Sequence, residues 1–139
     1  MVHENEGVAE QYTNPESAPL FFPSSLPASI SMLPELKEMH EAEHCLREPQ
    51  ADDALADLRR LRRNITGLWL FKKVHVSGTG NQPNTRMLDI YNRLYVKTVK
   101  LQRAANHYCT AYGALLALDL EGLWRECLKE LKPEDISRL

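Results

Sequence analysis

The sequence predicts an all-α protein: a long antiparallel helical hairpin with shorter flanking helices and a disordered or extended N-terminal arm. Three observations predict it. Apolar residues recur at steps of three and four over two long stretches, 55–68 and 87–115. Between them Ser77-Gly78-Thr79-Gly80-Asn81-Gln82-Pro83, with two glycines and a proline, cannot propagate a helix and reads as the hairpin loop. No alternating period-two run competes, so no sheet is expected. With 139 residues and 43% hydrophobic content the chain holds one domain's worth of material, divided into an arm over 1–33 and a helical domain over 34–139.

In the arm, Pro15, Pro19, Pro23 and Pro27 stand among Ser, Asn and Glu without a helical or strand period. Leu20-Phe21-Phe22-Pro23 is too apolar for an idle linker, and two readings stand: it docks on the helical body, or it is the remnant of a linker. The pattern turns helical at Pro34, since proline suits a first helical position and Glu35 and Glu38 meet the positive end of the helix dipole. This first helix runs to about 47, where Pro49 interrupts it. Asp52 and Asp53 open a second, carrying Leu55, Leu58, Leu61, Ile65 and Leu68 to about residue 74.

Asn84 or Thr85 caps the third helix, 85–118. Its seam of Met87, Tyr91, Leu94, Thr98, Leu101, Ala105, Tyr108, Tyr112 and Leu115 alternates steps of four and three and packs antiparallel to the second. A fourth helix, 120–131, sets Leu120, Trp124, Cys127, Leu128 and Leu131 on one side before Pro133 ends it.

Several function classes drop out. No run of about 18 apolar residues offers a membrane span, and the first 20 residues are acidic and polar where a secretion signal needs a basic start and an apolar stretch. Three cysteines, 45, 109 and 127, are an odd count without CxxC spacing, which argues for reduced thiols in an intracellular protein. His40-Glu41-Ala42-Glu43-His44 fits H-E-x-x-H, in which two imidazoles one turn apart bind zinc beside a general base. The pattern lacks a third ligand at metzincin spacing, since Arg47 and Gln50 stand where Gly and His would, and the two histidines read as surface residues beside Cys45. Gly78 and Gly80 match no phosphate-binding pattern, Asn64-Ile65-Thr66 is a sequon in mid-helix, and no nucleophilic triad is spaced for catalysis. Met87, Tyr91, Tyr108, Tyr112 and Trp124 read as core rather than as a cofactor pocket. The expectation is a non-enzymatic protein with no cofactor, no resident metal and no small-molecule substrate.

The net charge of −2 conceals a partition. Residues 1–56 carry 2 basic and 11 acidic side chains, 57–103 carry 11 and 2, and 104–139 carry 4 and 6. Such asymmetry fits an acidic cover on a basic face, a basic surface for an anionic partner, or both in competition. The candidate nucleic-acid contacts are Arg59, Arg60, Arg62, Arg63, Lys97, Lys100 and Arg103, which with Arg93 form a ridge on two adjacent helices.

A set of ordered stretches carries a resemblance. Glu41-Ala42-Glu43 precedes Leu46-Arg47-Glu48-Pro49-Gln50-Ala51, Asp53-Ala54-Leu55 and Leu58-Arg59. Val76-Ser77-Gly78 leads to Asn84-Thr85-Arg86, and then come Tyr112-Gly113-Ala114-Leu115-Leu116-Ala117-Leu118, Trp124 and Leu131-Lys132-Pro133-Glu134-Asp135-Ile136. Together they resemble the C-terminal helical region of the fungal KDZ (Kyakuja, Dileera, Zisupton) transposase-like proteins, over roughly residues 41–139. The resemblance implies descent from a DNA-mobilising enzyme whose metal-dependent core lies upstream of this region, and a nuclear location. Nothing here matches that core, so no catalytic residue carries over. The chain departs from the family wording at Pro49, where Gly tends to precede Gln, and in a longer loop before Asn84. The expected function is a helical interaction module that binds a protein partner or a second copy through its helical faces, with DNA binding through the basic ridge as the alternative.

Overall fold

The computed structural model describes residues 14–75 and 81–137. Its main body is two long helices, α2 (Lys37–His75, 39 residues) and α3 (Asn81–Leu118, 38 residues), packed along their length as an antiparallel hairpin. At about 1.5 Å per residue each is close to 60 Å long. Short elements flank them: turns of 3-10 helix at Pro15–Ser17, Pro23–Ser25 and Pro34–Leu36, then α1 (Ala28–Ser31), α4 (Trp124–Cys127) and α5 (Pro133–Ser137). No strand occurs among the described residues.

The expected seam is the core. Leu58, Leu61 and Ile65 of α2 meet Leu94, Leu101, Ala105 and Tyr108 of α3, and all are buried. At the end away from the loop the facing residues are small: Ala51 and Ala111 are 0% exposed, which lets the two backbones approach closely. Tyr108 and Leu115 are the largest fully buried side chains. Burial pushes the Tyr108 phenol above its ordinary pKa.

Two expected boundaries are corrected. Pro49 does not divide α2, which runs through it without a break. Its missing N–H leaves the Cys45 carbonyl without a helical partner, but both residues are exposed, so the break lies on the solvent side of the helix. Side chains brace the turn across the gap: Arg47 donates to Glu43 at 3.0 Å and to Gln50 at 2.9 Å. Burial of Ala51, Ala54 and Leu58 against the core then holds the far side in register. At its other boundary α3 begins at Asn81, inside the segment expected as loop; residues 76–80 lie outside the described residues.

The expected 120–131 helix is likewise not formed. Only the four residues of α4 are helical, and Leu128 turns to an extended conformation (φ −102°, ψ 127°). The Lys129 carbonyl finds no amide four residues on, since Pro133 has none. The Tyr108 hydroxyl donates to that carbonyl instead, at 2.5 Å. Trp124 and Leu128 are buried as expected, with the indole N–H donating to the Asp119 carbonyl at 3.0 Å, whereas Leu120 is 62% exposed and Cys127 is exposed. Asp135 accepts from the Lys132 amide at 3.1 Å and so caps α5.

The segment expected as a disordered or extended arm carries ordered turns over 14–33; residues 1–13 lie outside the described residues. Pro23 is buried, and its 3-10 turn packs against both α2 and α3. The Ser24 amide and hydroxyl donate to Glu43 at 3.0 and 2.6 Å, and the Arg47 guanidinium lies over the Phe22 ring at 5.1 Å. The described part of the arm therefore packs on the acidic half of α2, away from the basic residues that follow Leu58.

Candidate functional site

Antiparallel pairing turns the charge partition of the sequence into a partition in space. The loop half joins residues 59–75 of α2 to 81–103 of α3, as the Lys72–Tyr91 hydrogen bond (2.6 Å) shows. Residues 59–103 carry 11 basic side chains and 1 acidic one, Asp89. Over the remaining described stretches, 14–58 and 104–137, the count is 5 basic and 15 acidic. One end of the hairpin is thus about as positive as the other is negative.

The candidate nucleic-acid residues fall on two adjoining grooves. Arg59, Arg62 and Arg63 surround Thr66 on the outer surface of α2. Arg63 also borders a second groove between the helices, shared with Asn64, Gly67 and Leu68 of α2 and with Asn92, Arg93, Val96, Lys97 and Lys100 of α3. Five of the seven residues singled out, Arg59, Arg62, Arg63, Lys97 and Lys100, thereby line these two adjoining grooves. Arg60 is exposed and pairs with Asp57 at 3.0 Å, and Arg103 is exposed on α3 and lines neither groove. Arg93 pairs with Asp89 at 3.0 Å across a turn of its own helix. All these pairs are solvent-exposed and contribute little to stability.

The sequence reading missed an apolar belt around this basic half. Trp69, Leu70, Phe71, Val74, Leu88, Tyr91, Tyr95, Val96 and Val99 are each 43% or more exposed. Tyr91, expected in the core, is 45% exposed. Lys72 stands over the Trp69 and Tyr91 rings at 4.8 and 4.3 Å, so the basic and aromatic side chains are interleaved here. The cause lies in the layers. At the opposite end the arm and the C-terminal segment cover the hairpin, and the core gains Trp124 and Leu128. Among the described residues the loop half is a pair of helices without such a layer, and it buries its seam of Leu61, Ile65, Ile90, Leu94 and Leu101, with Leu68 and Met87 partly covered. The signal was present in the sequence, because Trp69, Leu70 and Phe71 are consecutive apolar residues, with Val74 one turn on, and no single helical face accommodates them all.

In the H-E-x-x-H segment the pattern's inner glutamate position is Glu41, an exposed residue 3.9 Å from Lys37, while Glu43 turns inward to Ser24 and Arg47. Burial works to raise the Glu43 carboxyl, but the two Ser24 hydrogen bonds and Arg47 outweigh it and hold the group below its ordinary pKa. His40 and His44, expected at the surface, are half-buried, and His44 Nε2 lies 3.7 Å from Asp119. No group of three or more His, Cys, Asp or Glu converges as a metal site among the described residues. No described helix is long and apolar enough to cross a membrane.

Comparison of the chain with known protein families, with curated proteins and with solved structures gives no match.

Proposed function

We propose that this chain is a non-enzymatic helical interaction module whose loop half binds a protein partner. The observation that carries this reading is the apolar belt: nine large side chains at 43% exposure or more on the two long helices of the basic half, with Lys72 set against the Trp69 and Tyr91 rings. Exposed apolar surface on this scale, edged by charges, is characteristic of a surface that another protein covers. Affinity capture with the full chain, compared with a Phe71→Asp/Val96→Asp variant of equal helicity, tests it. The module reading expects bound proteins that the variant loses; a bound set that does not depend on these two side chains removes the reading.

The second reading is nucleic-acid binding, favoured by the convergence of Arg59, Arg62 and Arg63 beside the Lys97–Lys100 groove. It expects duplex DNA binding that weakens steeply with salt, as phosphate contacts release counterions. Fluorescence anisotropy of a labelled duplex checks it, and binding unchanged in Arg59→Glu/Arg62→Glu/Arg63→Glu rejects it. Both readings accord with the resemblance to the KDZ C-terminal region, under which the chain is a remnant or accessory region of a nuclear transposase-like protein. Sequencing the flanking genomic DNA for an upstream transposase core tests that descent.

A further inference from the structure

Two grooves of the loop half are continuous. The one nearer the loop is lined by Phe71 and His75 of α2 and by Arg86 and Ile90 of α3. The other carries on with Arg63 and Gly67 of α2 and Val96, Lys97 and Lys100 of α3. Leu68 and Arg93 border both, so the two form one trough along the junction of α2 and α3. Its lining extends over 63–75 of one helix and 85–100 of the other, roughly 20 Å at about 1.5 Å per residue.

Floor and rim differ in chemistry. Ile90 is buried and Leu68 half-buried, with Phe71 and Val96 exposed beside them at 51% and 48%. Gly67 adds no side chain, and a Cβ there would meet nothing within 4 Å, so the floor is open at that point. The rim holds Arg63, Arg86, Lys97 and Lys100, while Asp89, the one carboxylate among the described lining residues, is held by Arg93 at 3.0 Å. An occupant complementary to both parts is apolar along one line and acidic on its flanks. Phosphates alone would match the rim and leave Leu68, Phe71 and Val96 without apolar contacts. An extended peptide has no sheet edge to join among the described residues. A straight rod of this length with one apolar stripe is a helix of about 13 residues, anchored at i, i+3 or i+4, and i+7.

We infer that the trough takes an acidic amphipathic helix of a partner protein, its apolar anchors on Leu68, Phe71 and Val96 and its carboxylates on Arg63, Arg86, Lys97 and Lys100. This helix adds a third rod over the pair. The 11 basic against 1 acidic side chain over 59–103 steer such a segment to this end of the hairpin. Trp69, Leu70 and Lys72 border a separate depression with Thr66 and Lys73 and take no part. The inference rests on the module reading and specifies the partner's chemistry.

Selection from a phage-displayed library of randomised peptides, each about 14 residues long in a helix-favouring frame, tests it on the full chain. Enriched peptides are expected to repeat apolar residues at helical spacing with Asp or Glu on the flanks. Followed by fluorescence anisotropy, such a peptide is expected to bind more weakly as salt rises. It is expected to lose about ten-fold or more in affinity against Gly67→Leu, which fills the floor without touching charge. Arg63→Glu/Lys97→Glu is expected to lose as much, and it serves alone if Gly67→Leu loses helicity. No enrichment, enriched peptides without an acidic excess, or affinity unchanged in both variants overturns the inference. So does another occupant, with no peptide enriched: duplex DNA, or a second copy seen as sedimentation at twice 15.9 kDa, whose binding Gly67→Leu abolishes. Captured proteins that Phe71→Asp/Val96→Asp loses but Gly67→Leu and Arg63→Glu/Lys97→Glu both keep defeat the acidic helix and leave the module reading standing. Capture that depends on none of these side chains defeats both.

Discussion

The Ser24 hydroxyl and backbone amide both donate to the carboxylate of Glu43, at 2.6 and 3.0 Å, and this fastens the N-terminal arm to α2. Glu43 is 5% exposed, so each donor that reaches it replaces water that cannot. A hydrogen bond to a charged group contributes about 1.5–3 kcal/mol in such settings, and Ser24→Ala is expected to cost roughly that. Urea denaturation measures the loss, and limited proteolysis should show earlier cleavage between residues 17 and 33.

The same carboxylate makes the attachment sensitive to acid. The Glu43 pKa is held below its ordinary value in the folded chain, so the unfolded chain takes up its proton first as pH falls. The stabilisation is complete above the ordinary glutamate value and is lost as pH drops through the lower folded one. Glu43→Gln is expected to be less stable than wild type at neutral pH and to lack this acid dependence. Thermal denaturation across that pH range, wild type against variant, checks it.

Helix α2 tolerates Pro49 at a cost that a substitution should recover. A proline in a helix interior costs about 3 kcal/mol relative to alanine. Because the bracing by Arg47 already offsets part of this, Pro49→Ala is expected to stabilise by about 1–3 kcal/mol. Gly67 and Gly113 have open space where a Cβ would stand, and alanine at either is expected to add about 0.5–1 kcal/mol. Gly122 is the opposite case: its Cβ would come within 2.1 Å of the Asp119 carboxylate and 2.4 Å of the Trp124 ring. Gly122→Ala should therefore destabilise and displace the indole, read by tryptophan fluorescence.

Tyr108 ties the C-terminal segment to α3 through its bond to the Lys129 carbonyl. Tyr108→Phe keeps the buried ring, which is 2% exposed, and removes only the hydroxyl. The expected loss is about 1–2 kcal/mol, with the orphaned carbonyl included. Hydrogen exchange should locate the change in 124–131 and leave the Leu94–Leu101 seam protected.

The long seam was legible because it is repetitive: Leu58, Ile65, Leu94, Leu101 and Tyr108 follow one spacing, and all five are buried. Pro49 misled because a local rule was outweighed by packing two residues later. The 120–131 stretch shows the converse, since Trp124 and Leu128 reach the core without the helix that their spacing suggested. The basic residues were identifiable individually, but which of them share a groove depends on how α2 and α3 slide against each other, and single-helix periodicity does not fix that offset. It is this offset that puts Arg63 beside Lys97 and Lys100 and leaves Arg103 aside. The attachment of Ser24 to Glu43 joins positions 19 apart with no shared pattern, and no spacing rule would have paired them.

Segregating cations at one tip and anions at the other places attraction too far apart to help the isolated monomer, since the tips are separated by several Debye lengths of about 8–10 Å. What operates at short range is crowding of like charge within each tip. Added electrolyte should therefore tighten the single hairpin, first in the half that holds Arg59 to Lys100, even as it loosens whatever anionic surface had been held there. Heat-capacity scans over an ionic-strength series would show the two trends moving in opposite directions.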